Sequence, residues 1–166
     1  VGRTRDPLME WLATLDPGVV VVLDPGAALI QMPDRVRDRV LRRTDVWTGN
    51  AAEAAALAGV DGIRESAEVV ASMLGHGAVT IVRDGPRGCV VREGGRTTEV
   101  PGHPQRPVDT NGAGDTHTGE LLAERAAGAS WPEAAARGNA AGALKVTRRG
   151  PDTAPTRAEI DAFLAQ

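Results

Sequence analysis

Hydrophobic residues occur along this chain in two patterns that predict alternating strands and helices. Short apolar runs rich in β-branched residues and bounded by Gly, Pro or Asp predict strands, whereas apolar residues three and four positions apart predict helices. The predicted strands cover residues 19–23, 45–48, 79–83, 88–92 and 97–100. The predicted helices cover residues 6–15, 34–43, 50–58, 65–74, 113–127, 131–146 and 156–164. Because the run 19–23 is apolar throughout, we expect this strand to be fully buried.

The order of these elements indicates an α/β fold. Strands alternate with helices in the first half of the chain, a glycine pair at 94–95 then makes a hairpin turn, and further helices follow. This order is typical of a mainly parallel sheet that is covered by helices. The 166 residues contain no repeat and no long linker, so residues 1–166 are expected to form a single domain.

Composition and charge narrow the class of protein. The net charge of −3 and the aromatic content of 2% argue against a nucleic-acid partner and against an anionic membrane surface. No apolar run approaches the roughly 18 residues that span a bilayer, and the start does not resemble a signal peptide. The lone Cys89 excludes an internal disulfide and fits a reducing compartment, so we expect a cytoplasmic location. The chain begins with Val1 rather than methionine, which fits a start inside a longer protein.

The most distinctive motif is a glycine-rich turn, Asp109-Thr110-Asn111-Gly112-Ala113-Gly114-Asp115, which directly precedes a predicted helix. Its small side chains let an anion approach the backbone, and the free N–H groups and dipole of the helix add partial positive charge. The acid at the end of the turn has two interpretations. It caps the helix dipole, which is worth roughly 0.3–1 kcal/mol, or it takes a proton from a hydroxyl that attacks a group held by the turn.

Four further features also allow a structural interpretation. Asn50 and Glu53 have the spacing of a helix capping box. The segment 83–88 has the glycines of a turn between strands, and the small residues around Asn139 are typical of close helix packing. The cations and the glycine in segment 145–150 are those of an ordinary helix C-terminus.

The seven-residue turn resembles the Asp-Thr-x-Gly-Ala-Gly-Asp signature of the ribokinase/PfkB family of carbohydrate kinases. Other segments follow in the family's order. Residues 50–53 are similar to its Asn-x-x-Glu motif, and residues 83–88 to its Thr-x-Gly-x-x-Gly turn, with Arg83 in place of Thr. Residues 146–151 are similar to its Val-Thr-Arg-x-Gly-Ala segment, and Asp24-Pro25 to its Asp-Pro-Asn turn. The resemblance covers about residues 19–164 and implies the C-terminal half of a ribokinase-like three-layer sandwich, without the lid.

The resemblance implies ATP-dependent phosphorylation of a sugar or nucleoside hydroxyl. Asp115 would be the general base. The backbone N–H groups that would stabilise the transferred group are those of Asn111, Gly112, Ala113 and Gly114. The residues that would bind the nucleotide are Asn50, Glu53, Arg83, Gly85, Gly88 and Asn139. Glu53 would hold Mg²⁺ through water, and Asn139 would contact the adenine edge. Many members also bind a monovalent cation such as K⁺. Its ligands here would be the Asp109 side chain and the backbone carbonyls of Asn111, Lys145, Arg148 and Gly150.

Other kinds of site are not supported by the sequence. There is no P-loop, no Gly-x-Gly-x-x-Gly that opens a helix, and no His/Cys spacing suited to zinc. His117 stands where the family usually has an apolar residue, so we expect a structural or pocket-wall role, and we expect Cys89 to lie in the core. A second hypothesis is a catalytically silent nucleotide-binding or assembly module, because the half with most sugar contacts has no counterpart here. The expected partners are a small-molecule sugar or nucleoside and either further copies of the chain in a homo-oligomer or the missing N-terminal half.

Overall fold

The computed structural model describes residues 5–166. The strands are β1 (Val22–Leu23), β2 (Val46–Asn50), β3 (Val79–Arg83), β4 (Gly88–Glu93) and β5 (Arg96–Pro101). The helices are α1 (Arg5–Thr14), α2 (Asp34–Arg43), α3 (Ala51–Ala58), α4 (Ile63–Met73), α5 (Ala113–Ala126), α6 (Trp131–Val146) and α7 (Arg157–Leu164). Two short 3₁₀ helices lie at Gly26–Gln31 and Gly85–Arg87. All predicted elements within the described residues are present, with boundaries that differ by a few residues.

The five strands form one mixed sheet in the order β1-β2-β3-β4-β5. The neighbours β1, β2 and β3 are parallel, as the alternation of strands and helices predicts. The strands β4 and β5 continue the same sheet in antiparallel pairings, because the 3₁₀ turn at Gly85–Arg87 returns the chain directly beside β3. The predicted hairpin therefore extends the parallel sheet instead of forming a separate element.

Helices cover both faces of this sheet, and the side chains of each strand alternate between two cores. On β3, Ile81 contributes to a core that includes Leu121 of α5 and Ala134 of α6. The next residue, Val82, contributes to the core on the opposite face, which includes Val70 of α4. Successive side chains of a strand point to opposite faces, so a strand covered on both sides must be apolar throughout. The expected three-layer sandwich is confirmed.

The expectation of a fully buried strand at 19–23 is wrong. Only Val22 and Leu23 pair as a strand, and both are half-buried. Val19 is 43% exposed and Val20 is 63% exposed. The physical reason is position: β1 lies at the edge of the sheet and pairs with β2 alone, whereas β2 and β3 have a neighbour on each side.

The helix boundaries follow local signals in the sequence. Capping boxes begin α3, α6 and α7 at Asn50, Ser130 and Thr156, respectively. The helix α3 ends at Gly59, whose φ of 71° is the left-handed conformation that favours glycine. Within residues 5–166, none of the helices combines the length and the apolar character needed to cross a membrane.

Candidate active site

Three polar residues meet at one edge of the sheet because they follow the carboxyl ends of neighbouring parallel strands. Asp24 follows β1, Asn50 ends β2, and Arg83 ends β3 in register with Asn50. The N-terminus of α5 approaches the same edge, since Arg83 Nη1 donates a hydrogen bond to the carbonyl oxygen of Gly114 at 2.9 Å. In open α/β sheets, ligands bind at the carboxyl ends of the strands, so this edge is the candidate active site.

The glycine-rich turn at 109–115 is shaped by its own hydrogen bonds. Gly112 precedes α5 with φ of 78°, a conformation that residues with a Cβ rarely adopt. The Asn111 N–H donates to Asp109 Oδ1 at 3.0 Å, and the Ala113 N–H donates to the Thr110 carbonyl at 3.2 Å. Within residues 5–166, the N–H groups of Gly112, Gly114 and Asp115 have no recorded acceptor. The amides available to an anion are therefore those of Gly112, Gly114 and Asp115, whereas those of Asn111 and Ala113 shape the turn.

The turn lies between two cavities, and different residues of the turn line each of them. A first cavity of about 380 Å³ is bordered by Thr110, Ala113 and Gly114 of the turn. Its other walls include Asn50, Arg83, Gly85, His117 and Asn139. A second cavity of about 380 Å³ is bordered by Asn111, Gly112 and Asp115. The exposed Asp115 carboxylate thus faces a different cavity from the one that contains most of the predicted nucleotide-binding residues.

Arg83 is fixed in place by contacts that the sequence did not reveal. Its Nη1 and Nη2 donate to the two carboxylate oxygens of Asp24 at 2.8 and 3.0 Å. Nη1 also lies 3.0 Å from the Thr118 hydroxyl, which itself donates to Asp24 at 3.0 Å. The side chain of Arg83 is only 12% exposed and that of Asp24 is 26% exposed. This ion pair ties the ends of β1 and β3 to the first turn of α5.

His117 and Asn139 form the buried wall of the first cavity. Asn139 Nδ2 donates to the carbonyls of Val100 and Pro101 at 3.2 and 3.0 Å, which directs Oδ1 toward His117 Nε2 at 3.2 Å. This arrangement assigns the proton to Nε2, because an amide oxygen can only accept. Burial, assisted by the charge of Arg83, lowers the pKa of His117 to about 4. The expected pocket-wall position of His117 is confirmed, and the Asn139 amide hydrogens are both used internally.

The two glycines of the 83–88 turn have different surroundings. Gly85 borders the first cavity. Gly88 is not among its lining residues, and a Cβ at Gly88 would lie 2.1 Å from the carbonyl oxygen of Val100. Gly88 is therefore required for the close approach of β5, while Gly85 is the glycine positioned for a ligand. Cys89, which follows, is 3% exposed and lies in the core as expected. Its burial raises the pKa of the thiol to about 12.

Asn50 and Glu53 form the capping box at the start of α3. The Glu53 N–H donates to Asn50 Oδ1 and the Asn50 N–H donates to Glu53 Oε2, both at 2.9 Å. The structural interpretation of this motif is therefore realised. Glu53 Oε1 has no recorded donor within residues 5–166, so one carboxylate oxygen can still contact a water or an ion.

The segment expected to bind a monovalent cation is closed by internal hydrogen bonds. The Asp109 carboxylate accepts the Asn111 N–H and the Gly150 N–H, both at 3.0 Å. These two backbone bonds, in that order, lower the pKa of Asp109, and the positive charge of Lys145 contributes. The carbonyl of Lys145 accepts the Arg148 N–H at 3.0 Å. The Asp109 carboxylate and the Lys145 carbonyl are thus already engaged in hydrogen bonds, whereas the proposed carbonyls of Asn111 and Arg148 have no donor within residues 5–166.

Comparison with known proteins agrees with this geometry. The profile of the family described as pfkB family carbohydrate kinase matches residues 13–157. The chain is 34% identical to a ribokinase of Haemophilus influenzae over 89% of its own length and 48% of the relative. A fructokinase double mutant from Vibrio cholerae, solved with fructose, ADP and a potassium ion, has a TM-score of 0.82 and 27% identity, over 97% of this chain and 56% of that one. A nucleoside kinase of Burkholderia thailandensis, solved with inosine, has a TM-score of 0.78 and 31% identity, over 95% of this chain and 50% of that one.

The chain spans about half the length of the relatives it matches. The half that it spans is their C-terminal portion.

Proposed function

Because the chain belongs to the pfkB family of carbohydrate kinases, we propose that it is the nucleotide-binding and catalytic portion of an ATP-dependent kinase. The acceptor would be a hydroxyl of a sugar or a nucleoside. The observation that carries this proposal is the turn at 109–115, whose residues line two cavities. A phosphoryl group held at such a turn could pass from a nucleotide in the first cavity to a hydroxyl in the second.

The turn would hold the transferred group through its unused amides. The N–H groups of Gly112, Gly114 and Asp115 have no protein acceptor in the described part of the chain, and they lie at the positive end of the α5 dipole. Phosphoryl transfer requires mainly positioning and stabilisation of negative charge. Preorganised backbone donors supply both without reorganisation during the reaction.

Asp115 would take the proton of the attacking hydroxyl. Its carboxylate is exposed toward the second cavity, one residue beyond the phosphate-holding amide of Gly114. A carboxylate at this place would repel a bound phosphate, so it is better suited to accept a proton than to bind the anion. A positioned general base contributes about 10²–10⁴-fold to a rate.

The nucleotide would occupy the first cavity. The fixed guanidinium of Arg83 borders the part near the turn, the His117–Asn139 pair borders the wall next to β5, and Asn50 and Gly85 also line the cavity. Mg²⁺ would neutralise the charge of the phosphates, and Glu53 would hold its water shell through Oε1, the oxygen that the capping box leaves free. Because both amide hydrogens of Asn139 are used internally, only its oxygen or the cavity wall itself would contact the base.

A catalytically silent nucleotide-binding module is the second candidate function. The fact that the chain spans about half of its relatives favours it. An acceptor site that depends on residues outside this chain would leave nucleotide binding intact but stop phosphoryl transfer.

One experiment separates these functions. Calorimetric titration with MgATP would measure nucleotide binding, and a coupled assay for ADP would measure transfer to a panel of pentoses, hexoses and nucleosides. The kinase proposal predicts ATP binding together with ADP formation that depends on one class of acceptor. ATP binding without transfer to any acceptor would support the silent module. Absence of ATP binding would contradict both.

A further inference from the structure

Lys145 is the most unusual charged residue near the site because it is completely buried. Its exposure is 0%, and it lies in the last turn of α6. The ammonium Nζ donates to the backbone carbonyl of Asp109 at 3.3 Å. Within residues 5–166, no carboxylate lies within 4.0 Å of it as an ion-pair partner. A buried ammonium without a paired anion is costly, so its retention calls for a physical reason.

The side chain of Lys145 extends under the turn. Its Cε lies 3.6 Å from the position that a Cβ on Gly112 would take. The ammonium therefore lies near the N-terminus of α5, where the helix dipole also places partial positive charge. The ammonium and the helix dipole repel each other, and the nearby Asp109 carboxylate offsets only part of this repulsion. An anion on the turn would relieve this repulsion and would be bound more tightly because of the ammonium.

The same residue lies within the set of groups that a monovalent cation would need. Asp109 supplies its carbonyl to Nζ and both carboxylate oxygens to backbone N–H groups. The carbonyl of Gly150 accepts the Thr153 hydroxyl at 2.8 Å. An added cation would compete with these bonds for the oxygen lone pairs and would lie next to a fixed positive charge.

We propose that the Lys145 ammonium is the resident cation of the turn at 109–115, so that this chain takes no potassium ion there. The charge that a bound cation would supply beneath the turn is covalently attached to α6. The role in anion binding rests on the proposed function, whereas the exclusion of potassium does not.

The test compares the wild-type chain with Lys145→Ala and Lys145→Met in potassium chloride and in N-methylglucamine chloride at equal ionic strength. The melting temperature of the wild type is expected to be the same in both salts. The truncation in Lys145→Ala removes the ammonium and opens space, so its melting temperature is expected to rise with potassium. Lys145→Met keeps most of the side-chain volume and should respond less. Arg149→Met, which removes an exposed charge from the same loop, is the matched control and should behave as wild type.

The second readout is MgATP affinity by calorimetry. Loss of one charge-assisted contribution is expected to weaken ATP binding by about tenfold in Lys145→Ala in N-methylglucamine, with partial recovery in potassium. A wild-type melting temperature or ATP affinity that increases specifically with potassium would overturn the proposal. Unchanged ATP affinity in Lys145→Ala and Lys145→Met would overturn the anion-binding role. If the wild type binds no ATP, the proposed function fails, and the melting temperatures still test whether Lys145 excludes potassium.

Discussion

Replacement of Arg83 by Met tests whether the Asp24–Arg83 ion pair holds the site together. Met keeps most of the apolar volume but removes the two donors that reach Asp24 at 2.8 and 3.0 Å. It also removes the donor to the Gly114 carbonyl at the start of α5. Asp24 would retain only the Thr118 hydroxyl as a recorded side-chain donor.

The expected cost follows from the burial of the pair. Breaking a fully buried ion pair by removing one partner costs about 3–5 kcal/mol, and exposed pairs contribute about 0–1 kcal/mol. Asp24 is 26% exposed, so water can solvate part of the carboxylate that is left. We therefore expect the free energy of unfolding to fall by about 2 kcal/mol, which lowers the melting temperature by roughly 4–8 °C for a chain of this size.

Urea unfolding followed by circular dichroism measures this loss. Arg64→Met is the matched control, because Arg64 pairs with Glu99 and both side chains are exposed, at 48% and 68%. Its effect should stay within about 0.5 kcal/mol. A loss for Arg83→Met no larger than that of the control would refute the reasoning. A double-mutant cycle with Asp24→Asn should give a combined loss well below the sum of the single losses, since both changes break the same pair.

Two further substitutions test other parts of the site. Glu53→Gln removes the charge but keeps a capping box, because Gln also serves at this position. The Mg²⁺ concentration needed for half-maximal ATP binding should rise by about tenfold. The control Glu133→Gln changes the same position in the α6 capping box and should leave that concentration unchanged. For His117, the folded pKa of about 4 lies below the ordinary value of 6.5. The unfolded chain therefore binds more protons between these values, and stability falls as the pH is lowered from 6.5 toward 4, by at most about 1.4 kcal/mol per pH unit. Urea midpoints at pH 7 and pH 5 should show this loss in the wild type and in the control His76→Gln, which changes an exposed histidine, but not in His117→Phe. Equal pH dependence in all three proteins would be evidence against a neutral buried His117.

The sequence predicted the elements and the turn because their signals are local. Valine runs, capping boxes and the glycine at 112 each specify the backbone within a few residues. The family resemblance added the order of the motifs and the three-layer arrangement. The exposure of Val20 could not be read in this way, because it depends on which strand lies at the edge of the sheet.

The contacts that fix the site were not predictable from local patterns. Arg83 and Asp24 are 59 positions apart, and nothing near either residue indicates the other as its partner. Asn139 was expected to contact a ligand, but its amide hydrogens bond to β5, 38 and 39 positions away. Lys145 was expected to contribute its backbone carbonyl, but its buried side chain also reaches the site and donates to the Asp109 carbonyl. Such long-range pairings arise only when the elements pack together.

The central claim is that Asp115 acts as the general base beside a turn that holds the transferred phosphoryl group. The most direct test is the rate of ADP formation by Asp115→Asn at saturating ATP and acceptor, with ATP affinity measured in parallel. The account predicts a fall in turnover of about 10²–10⁴-fold, with ATP affinity nearly unchanged. A fall of less than about fivefold would contradict the role of Asp115 as base, since removal of a positioned base should cost far more.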